Sequence, residues 1–267
     1  MTPLRYGRIP YVNVAPVETA FDLGAVRREV EIVSGAPTVL NAALDAGAID
    51  VAAISAAHYL RHRDRYAPLA DLCIAADGPV RSVVFVSPQP PELLVEASVA
   101  ITRDSASGRA LLETILGRYP RLRVVYEVVD DALAQARGLR PTLLIGDDAL
   151  RARAELPPAN VFDLGEAWRE WTGLPFVFAV WAVRRELLAE RPDAVAALAA
   201  ALVEARAWGA ANRGAVIDAA LAQQPFDRAL YDDYFTRLSY TLGDRARRGL
   251  EHFAALLPAE ETLRVAG

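Results

Sequence analysis

The sequence predicts an α/β fold built as two units, and three observations lead there. Short apolar runs alternate with stretches of helical periodicity, the pattern of strands joined by crossover helices. A proline-rich segment, SPQPPELL at 87–94, interrupts that alternation, and a fully apolar strand, TGLPFVFAVWAV at 172–183, returns late in the chain. At 267 residues and 53% hydrophobic content the chain is long enough to bury one large core or two medium ones.

Taken in order, the run through RIPYVNVAP is the first strand, stopping at Asn13 just before a proline. A polar helix is expected at 17–23. EVEIVSG reads as a strand into a turn, and PTVLNAALDAG as a helix with Pro37 in its first turn and Gly47 closing it. IDVAAIS is a short apolar strand that brings the Ser55 hydroxyl to its carboxyl end, where open α/β sheets bind ligands. After the proline-rich break, VAIT is a strand and SASGRALLETIL a helix with Leu111, Leu112, Ile115 and Leu116 on one face. LRVVYEVV, TLLIG and NVFDL supply further strands, separated by the helices DDALAQAR and DALRARAE. From Pro192 onward the chain reads as helical, with DAVAALAAALVEARAWGAANRG as one long helix. The expected division is lobe I at 1–88 plus 176–267 and lobe II at 89–175, with crossings near 86–92 and 172–177. Such a pair forms a cleft that closes on a small ligand by hinge bending.

Composition excludes whole chemistries. The chain has no lysine, so all 29 basic residues are arginine, and a pyridoxal phosphate Schiff base, a lysine aldolase and a P-loop are ruled out. Cys73 is the only cysteine, which excludes an internal disulfide and a thiolate metal cluster; its DLCIAA setting reads as core. His58 and His62 are four apart and could share a helix face as zinc ligands do. They stand in HYLRHRDRY without an HExxH glutamate, however, and read as a solvated helix surface, so neither metal nor cofactor is expected. A net charge of −5 offers no basic surface for nucleic acid or an anionic membrane. No secretion signal opens the chain and no uncharged apolar run spans a bilayer, so a soluble cytoplasmic protein with a small-molecule partner is expected. The sequence assigns no oligomeric state.

Few segments offer polar chemistry. TRDSASGRALL at 102–112 opens a helix with Ser105 and Ser107, where unpaired backbone N–H groups and the macrodipole would hold a carboxylate. An ordinary serine N-cap explains the same residues equally well. Arg103 or Arg109 would add charge there. In DGPVRSVVFVS, Ser82 begins an apolar strand, facing a ligand or satisfying a turn amide. In LLIGDDAL, Asp148 most simply caps the next helix and leaves Asp147 to meet a ligand.

Together GRIPYVNVAP, LDAGAIDVAAIS, LCIAADGPVRSVVFVS, LLIGDDAL and VFDLGEAWREWTGLPFVFAVWAVRRE resemble the chorismate dehydratase family of the futalosine route to menaquinone, over about residues 5 to 190. Pro10 stands where the family's GRISYLN form has serine, and Asn13 is retained. The resemblance implies a periplasmic-binding-protein-like, type II fold used as a cytosolic enzyme without a cofactor, converting chorismate to 3-[(1-carboxyvinyl)oxy]benzoate and water. It implies that Asn13 and Ser82 are the catalytic polar residues. The expected substrate contacts are Ser55, Arg103, Ser105, Ala106, Ser107, Gly146, Asp147 and Phe176. No histidine lies in these motifs, so the base is expected to be the substrate's own enolpyruvyl carboxylate, with Asp147 as the fallback. Two rivals share the fold: a cytosolic solute-binding or sensor protein, and the related enzyme that cleaves cyclic dehypoxanthine futalosine, whose SPCPND-like opening is absent here.

Overall fold

The computed structural model describes residues 2–102, 104 and 106–258. Strand β1 (Leu4–Arg8) leads through a 3-10 turn at Val12–Val14 into α1 (Ala15–Asp22). Then follow β2 (Val30–Ser34), α2 (Pro37–Asp45), β3 (Val51–Ser55), α3 (Ala56–Arg61) and β4 (Tyr66–Ala76). Next come β5 (Val83–Val86), β6 (Glu96–Ile101), α4 (Ala106–Leu116), β7 (Arg123–Val128), α5 (Ala132–Arg137) and β8 (Thr142–Ile145). They are succeeded by α6 (Gly146–Glu155), β9 (Val161–Asp163), α7 (Leu164–Thr172), β10 (Phe176–Arg184) and α8 (Leu187–Glu190). The remaining elements are α9 (Pro192–Ala211), α10 (Arg213–Gln223), α11 (Arg228–Arg237), β11 (Leu238–Thr241) and α12 (Asp244–Leu256).

The chain divides into two compact units, Met1–Ala75 with Val177–Asp244 and Ala76–Phe176 with Arg245–Gly267. The first is built on a six-stranded sheet ordered β11-β4-β10-β3-β1-β2, in which β1 pairs in parallel with β2 and β3, and β10 runs antiparallel to β3. The second has a five-stranded sheet ordered β7-β6-β8-β5-β9, with β6 parallel to β7 and β8, and β5 antiparallel to β8 and β9. This differs from the sequence division in two places. All four residues of β5 are buried, and it meets that need between β8 and β9. Helix α12 falls in the second unit because Phe253 packs edge-on against Trp168 and Phe176, with ring centroids 5.9 and 4.7 Å apart.

Local structure explains where other expectations shift. Strand β1 ends at Arg8, so Asn13 sits on the 3-10 turn beyond it. The helix expected to be polar is instead α1, with Ala15 through Ala20 buried, Glu18 included. The long alanine-rich helix breaks at Asn212, whose φ of −118° and ψ of 43° leave the helical region and start α10. Helix α9 is long and apolar enough to cross a membrane by length and composition, but it carries Glu204 and Arg206 and buries Val195, Leu198, Leu202, Ala205 and Gly209. Cys73 is fully buried. His58 does not face solvent freely: its side chain is 13% exposed and its Nε2 meets Asp45 at 3.2 Å.

An ion-paired carboxylate ties together the starts of β1 and β3 and the end of antiparallel β10. Asp50, just before β3, accepts from the Arg5 backbone N–H at 2.8 Å, from Arg5 Nη2 at 2.7 Å and from Arg184 Nη2 at 3.3 Å. Burial alone would raise its pKa; the Arg5 hydrogen bonds and the two guanidinium charges outweigh that and hold it below the usual carboxylate value. A lowered folded pKa means stabilisation that is present above the unfolded value of about 3.9 and lost as pH falls through the folded one. Stability should therefore fall in acid below about pH 4, and Asp50→Asn, weaker at neutral pH, should show a flatter acid limb in urea titrations. Parallel acid limbs would remove Asp50 from the account.

Close helix packing makes a second test. A Cβ at Gly209 would lie 1.9 Å from the Pro16 carbonyl oxygen, so α1 and α9 can touch only through a glycine. Gly209→Ala should destabilise by about 1–3 kcal/mol, the usual cost of overpacking, whereas Gly214→Ala, with open space around it, should leave the urea midpoint unchanged or raised. A wild-type midpoint for Gly209→Ala would show that the two helices have room to separate.

Candidate functional site

In the first unit, the parallel pairing of β1 with β3, with Gly7 opposite Ala52, puts the Asn13 turn beyond the carboxyl end of β1 and Ser55 at the carboxyl end of the adjacent β3. The Asn13 backbone carbonyl accepts from the Tyr240 hydroxyl at 2.7 Å. Its side-chain Oδ1 is buried with no hydrogen-bond partner among the described residues. An acceptor held in that way is costly unless something donates to it. Ser55 is differently employed: its hydroxyl N-caps α3, accepting from the His58 backbone N–H at 3.1 Å. The hydroxyl expected to face a ligand thus spends an acceptor site on its own helix.

The turn that carries Asn13 is anchored by a buried charge. Glu18, 2% exposed on α1, accepts from the Tyr6 hydroxyl at 2.7 Å and from Arg28 Nη2 at 2.7 Å. Trp181 Nε1 donates to the same Tyr6 hydroxyl at 2.8 Å, and the Arg28 guanidinium lies 4.6 Å from the Tyr6 ring centroid and 4.1 Å from that of Phe21. Burial, and then the neighbouring Glu18 charge, push the Tyr6 pKa well above its ordinary value, so the phenol stays a donor. The network ties α1 to β1 and β10 and so fixes where the helix, with the turn before it, begins.

In the second unit, β6 and β8 run parallel and their carboxyl ends lead towards α4 and α6 respectively. Antiparallel β5 places Val83 opposite Ile145, which brings Ser82 to the same edge, and the Gly146 N–H donates to the Ser82 carbonyl at 2.7 Å. A Cβ built on Gly108 would stand 3.1 Å from Ile145 and 3.3 Å from Val83, so the first turn of α4, with Ala106 and buried Ser107, lies against those strand ends. Ser82, Ala106, Ser107, Gly146 and Asp147 are thus gathered at one edge. Asp147 and Asp148 both lie in the first turn of α6; Ile145 is the N-cap and no side chain caps it, so Asp148 is no cap and instead pairs with Arg151 at 3.4 Å. Arg103 and Ser105 lie outside the described residues. Phe176 is fully buried, its ring 5.3 Å from Trp168, a core position where a substrate contact was expected.

Sequence reasoning missed the residue that shapes this edge. Asp163, 4% exposed, accepts through Oδ1 from the N–H groups of Val80, Gly165 and Glu166 at 3.0, 3.0 and 3.2 Å. Its Oδ2 accepts from the Arg81 N–H at 2.8 Å. One carboxylate therefore caps α7 and clamps the loop that delivers Ser82. Gly165 is required beside it, because a Cβ there would lie 2.6 Å from the Gly78 carbonyl oxygen. The available signal was the quoted run VFDLGEAW, an N-cap aspartate ahead of a helix, whose second set of partners is 82 to 83 residues away.

A family model described as menaquinone biosynthesis matches residues 4–259. The chain belongs to this menaquinone-biosynthesis family. A chorismate dehydratase of Thermus thermophilus is 34% identical over 276 aligned positions, covering 96% of each chain. Among solved structures, a protein of Archaeoglobus fulgidus superposes with a TM-score of 0.77 at 21% identity, over 95% of this chain and 96% of that one. The alkanesulfonate-binding protein of Xanthomonas axonopodis pv. citri, bound to MOPS, gives 0.69 at 15% identity, over 97% and 96%. At such identities the structural matches establish the fold, which is periplasmic-binding-protein-like. The menaquinone-biosynthesis assignment and that fold agree with the resemblance carried by the sequence motifs.

The clamp is directly testable. Asp163→Asn exchanges one acceptor oxygen for a donor amide facing backbone N–H groups, and should lower stability by about 1–3 kcal/mol in urea unfolding. A loss under about 0.5 kcal/mol, the level of an unremarkable surface substitution, would mean that the 78–82 loop is held by other means.

Proposed function

We propose that this chain is a chorismate dehydratase, a carbon–oxygen lyase that converts chorismate to 3-[(1-carboxyvinyl)oxy]benzoate and water in futalosine-dependent menaquinone biosynthesis. The observation that carries the reading is the 34% identity to the Thermus dehydratase over 96% of each chain. The unpartnered Oδ1 of Asn13 is consistent with it, since a substrate hydroxyl is the donor this oxygen lacks.

Chorismate is a cyclohexadiene that becomes aromatic on losing the C3 proton and the C4 hydroxyl, so the product supplies the driving force. The C3 proton is conjugated through a ring alkene to the ring carboxylate, and its removal spreads negative charge onto that group. Aligned N–H donors or a guanidinium at the carboxylate stabilise the charge as it develops; the start of α4 is assigned this task. An amide does not take up a proton at neutral pH. Asn13 therefore orients: its Oδ1 accepts from the C4 hydroxyl while its NH2 donates to the departing oxygen. The base is the substrate's own enolpyruvyl carboxylate, folded over the ring to reach the C3 proton, with Ser82 holding that conformer; the same carboxyl passes this proton to the departing C4 oxygen, which leaves as water and restores the carboxylate.

Purified protein mixed with chorismate should yield a product lighter by one water, followed by ultraviolet spectrum and mass, without added metal or nucleotide. Asn13→Ala and Ser82→Ala should each lower turnover about a hundredfold or more, and Asp147→Asn should retain substantial activity. Unchanged chorismate with folded protein would end the enzyme reading, and tight binding without turnover would favour a sensor. An inactive, folded Asp147→Asn beside a near-normal Asn13→Ala would replace the substrate carboxylate with the aspartate as base.

A further inference from the structure

We infer that Asp45, His58 and His62 form a binding site for a divalent transition-metal ion of the zinc type, independent of the proposed reaction. The two histidines read from sequence as a solvated helix face, because HYLRHRDRY is charged and lacks an HExxH glutamate. A third ligand comes from another helix. Asp45 is the last residue of α2, and its Oδ1 lies 3.2 Å from His58 Nε2, which is close to the separation of two donors sharing one tetrahedral ion at about 2.0–2.1 Å. Donor atoms of all three residues lie within 4.8 Å of one another, and the two imidazole rings are 4.4 Å apart.

Hydrogen bonding prepares the ligands. His62 Nδ1 lies 3.0 Å from the His58 carbonyl oxygen. A carbonyl can only accept, so Nδ1 carries the proton and Nε2 keeps its lone pair, the tautomer that a metal ligand needs. His58 holds its proton on Nε2 towards Asp45; to bind an ion it takes the other neutral tautomer, with no net proton released. The Asp45 carboxylate is oriented by the Tyr66 hydroxyl and by Arg65 Nη1 at 3.1 Å, both donating to Oδ1, so an ion there displaces one of these donors or takes Oδ2 instead. The position also favours a cation electrostatically, since α2 ends there with its C-terminal carbonyls. Arg65 already exploits this, donating to the Asp45 backbone carbonyl at 2.6 Å. Its guanidinium charge weakens the site, but its side chain is 44% exposed and has room to withdraw. Asp45 is 31% exposed, which leaves a path for the ion and room for water to complete the coordination. Two imidazoles and one carboxylate suit zinc, nickel or copper, whereas calcium and magnesium prefer all-oxygen sets.

The test is calorimetric titration of the full, tag-free chain with zinc chloride, with ¹⁵N–¹H spectra of the imidazole nitrogens as a second reading. Wild type should take up zinc saturably, with the His58 and His62 Nε2 resonances shifted. His62→Gln and Asp45→Asn should each weaken binding by at least the roughly tenfold that even outer-shell losses cost, and His252→Gln should not. No saturable uptake, uptake unaltered in both variants, or unshifted His58 and His62 resonances in the wild-type spectrum would each overturn the site. The spectrum decides the matter even if a variant fails to fold.

Discussion

The second unit depends on a requirement that backbone N–H groups leaving a strand or opening a helix must find acceptors. Asp163 meets it for four of them at once, two in the loop before β5 and two at the start of α7. A carboxylate suits the task because its two oxygens accept several donors and because its charge is favoured at a helix N-terminus. The cost of burying that charge is offset by these donors together with the Arg153 guanidinium 3.5 Å from Oδ2, so the loop and the helix are held to each other. Ser82 inherits its position from this arrangement, and through its carbonyl so does the first residue of α6.

The first unit uses buried charge in the same way with different partners. Glu18 is taken out of water by α1 and repaid by a phenol and a guanidinium, with the Tyr6 hydroxyl shared by the Trp181 indole. Removing one partner of such a set leaves an uncompensated charge, which is why these networks make sharp positioning devices even where they add little net stability. Asn13 stands on the turn between β1 and this anchored helix, with its own carbonyl held by Tyr240. The anchored surroundings leave the buried Oδ1 of the amide without a donor among the described residues.

A sparse site of this kind suits the proposed elimination. The reaction needs neither a strong base nor a nucleophile if aromatisation drives it and the substrate carries its own carboxylate, so orientation and charge stabilisation are the protein's share. The absence of lysine and of histidine from the motifs, informative as exclusion, then has a chemical counterpart. The cluster of Asp45, His58 and His62 shows the converse, titratable residues brought together away from those motifs by the packing of α2 against α3 and β4.

Periodicity and turn chemistry in the sequence alone determined the α/β class, the strands other than β4 and β11, and the excluded chemistries, because those properties are local. Pro37 opening α2 and Gly47 closing it, at φ +67°, are cases where one residue decides its own backbone. The motifs also singled out Asn13 and Ser82, the residues whose roles remain the proposal. Tertiary structure decided what depends on distant partners. Ser55 proved to be a helix cap, Phe176 a core ring, and Asp148 a surface ion pair, since each side chain's employment is set by what packs beside it. Asp163 was visible only as an acid in an ordinary capping position, and Glu18 only as one acid of a helix expected to be polar. Their importance comes from donors contributed by other elements, and no local pattern records which donors the fold will bring.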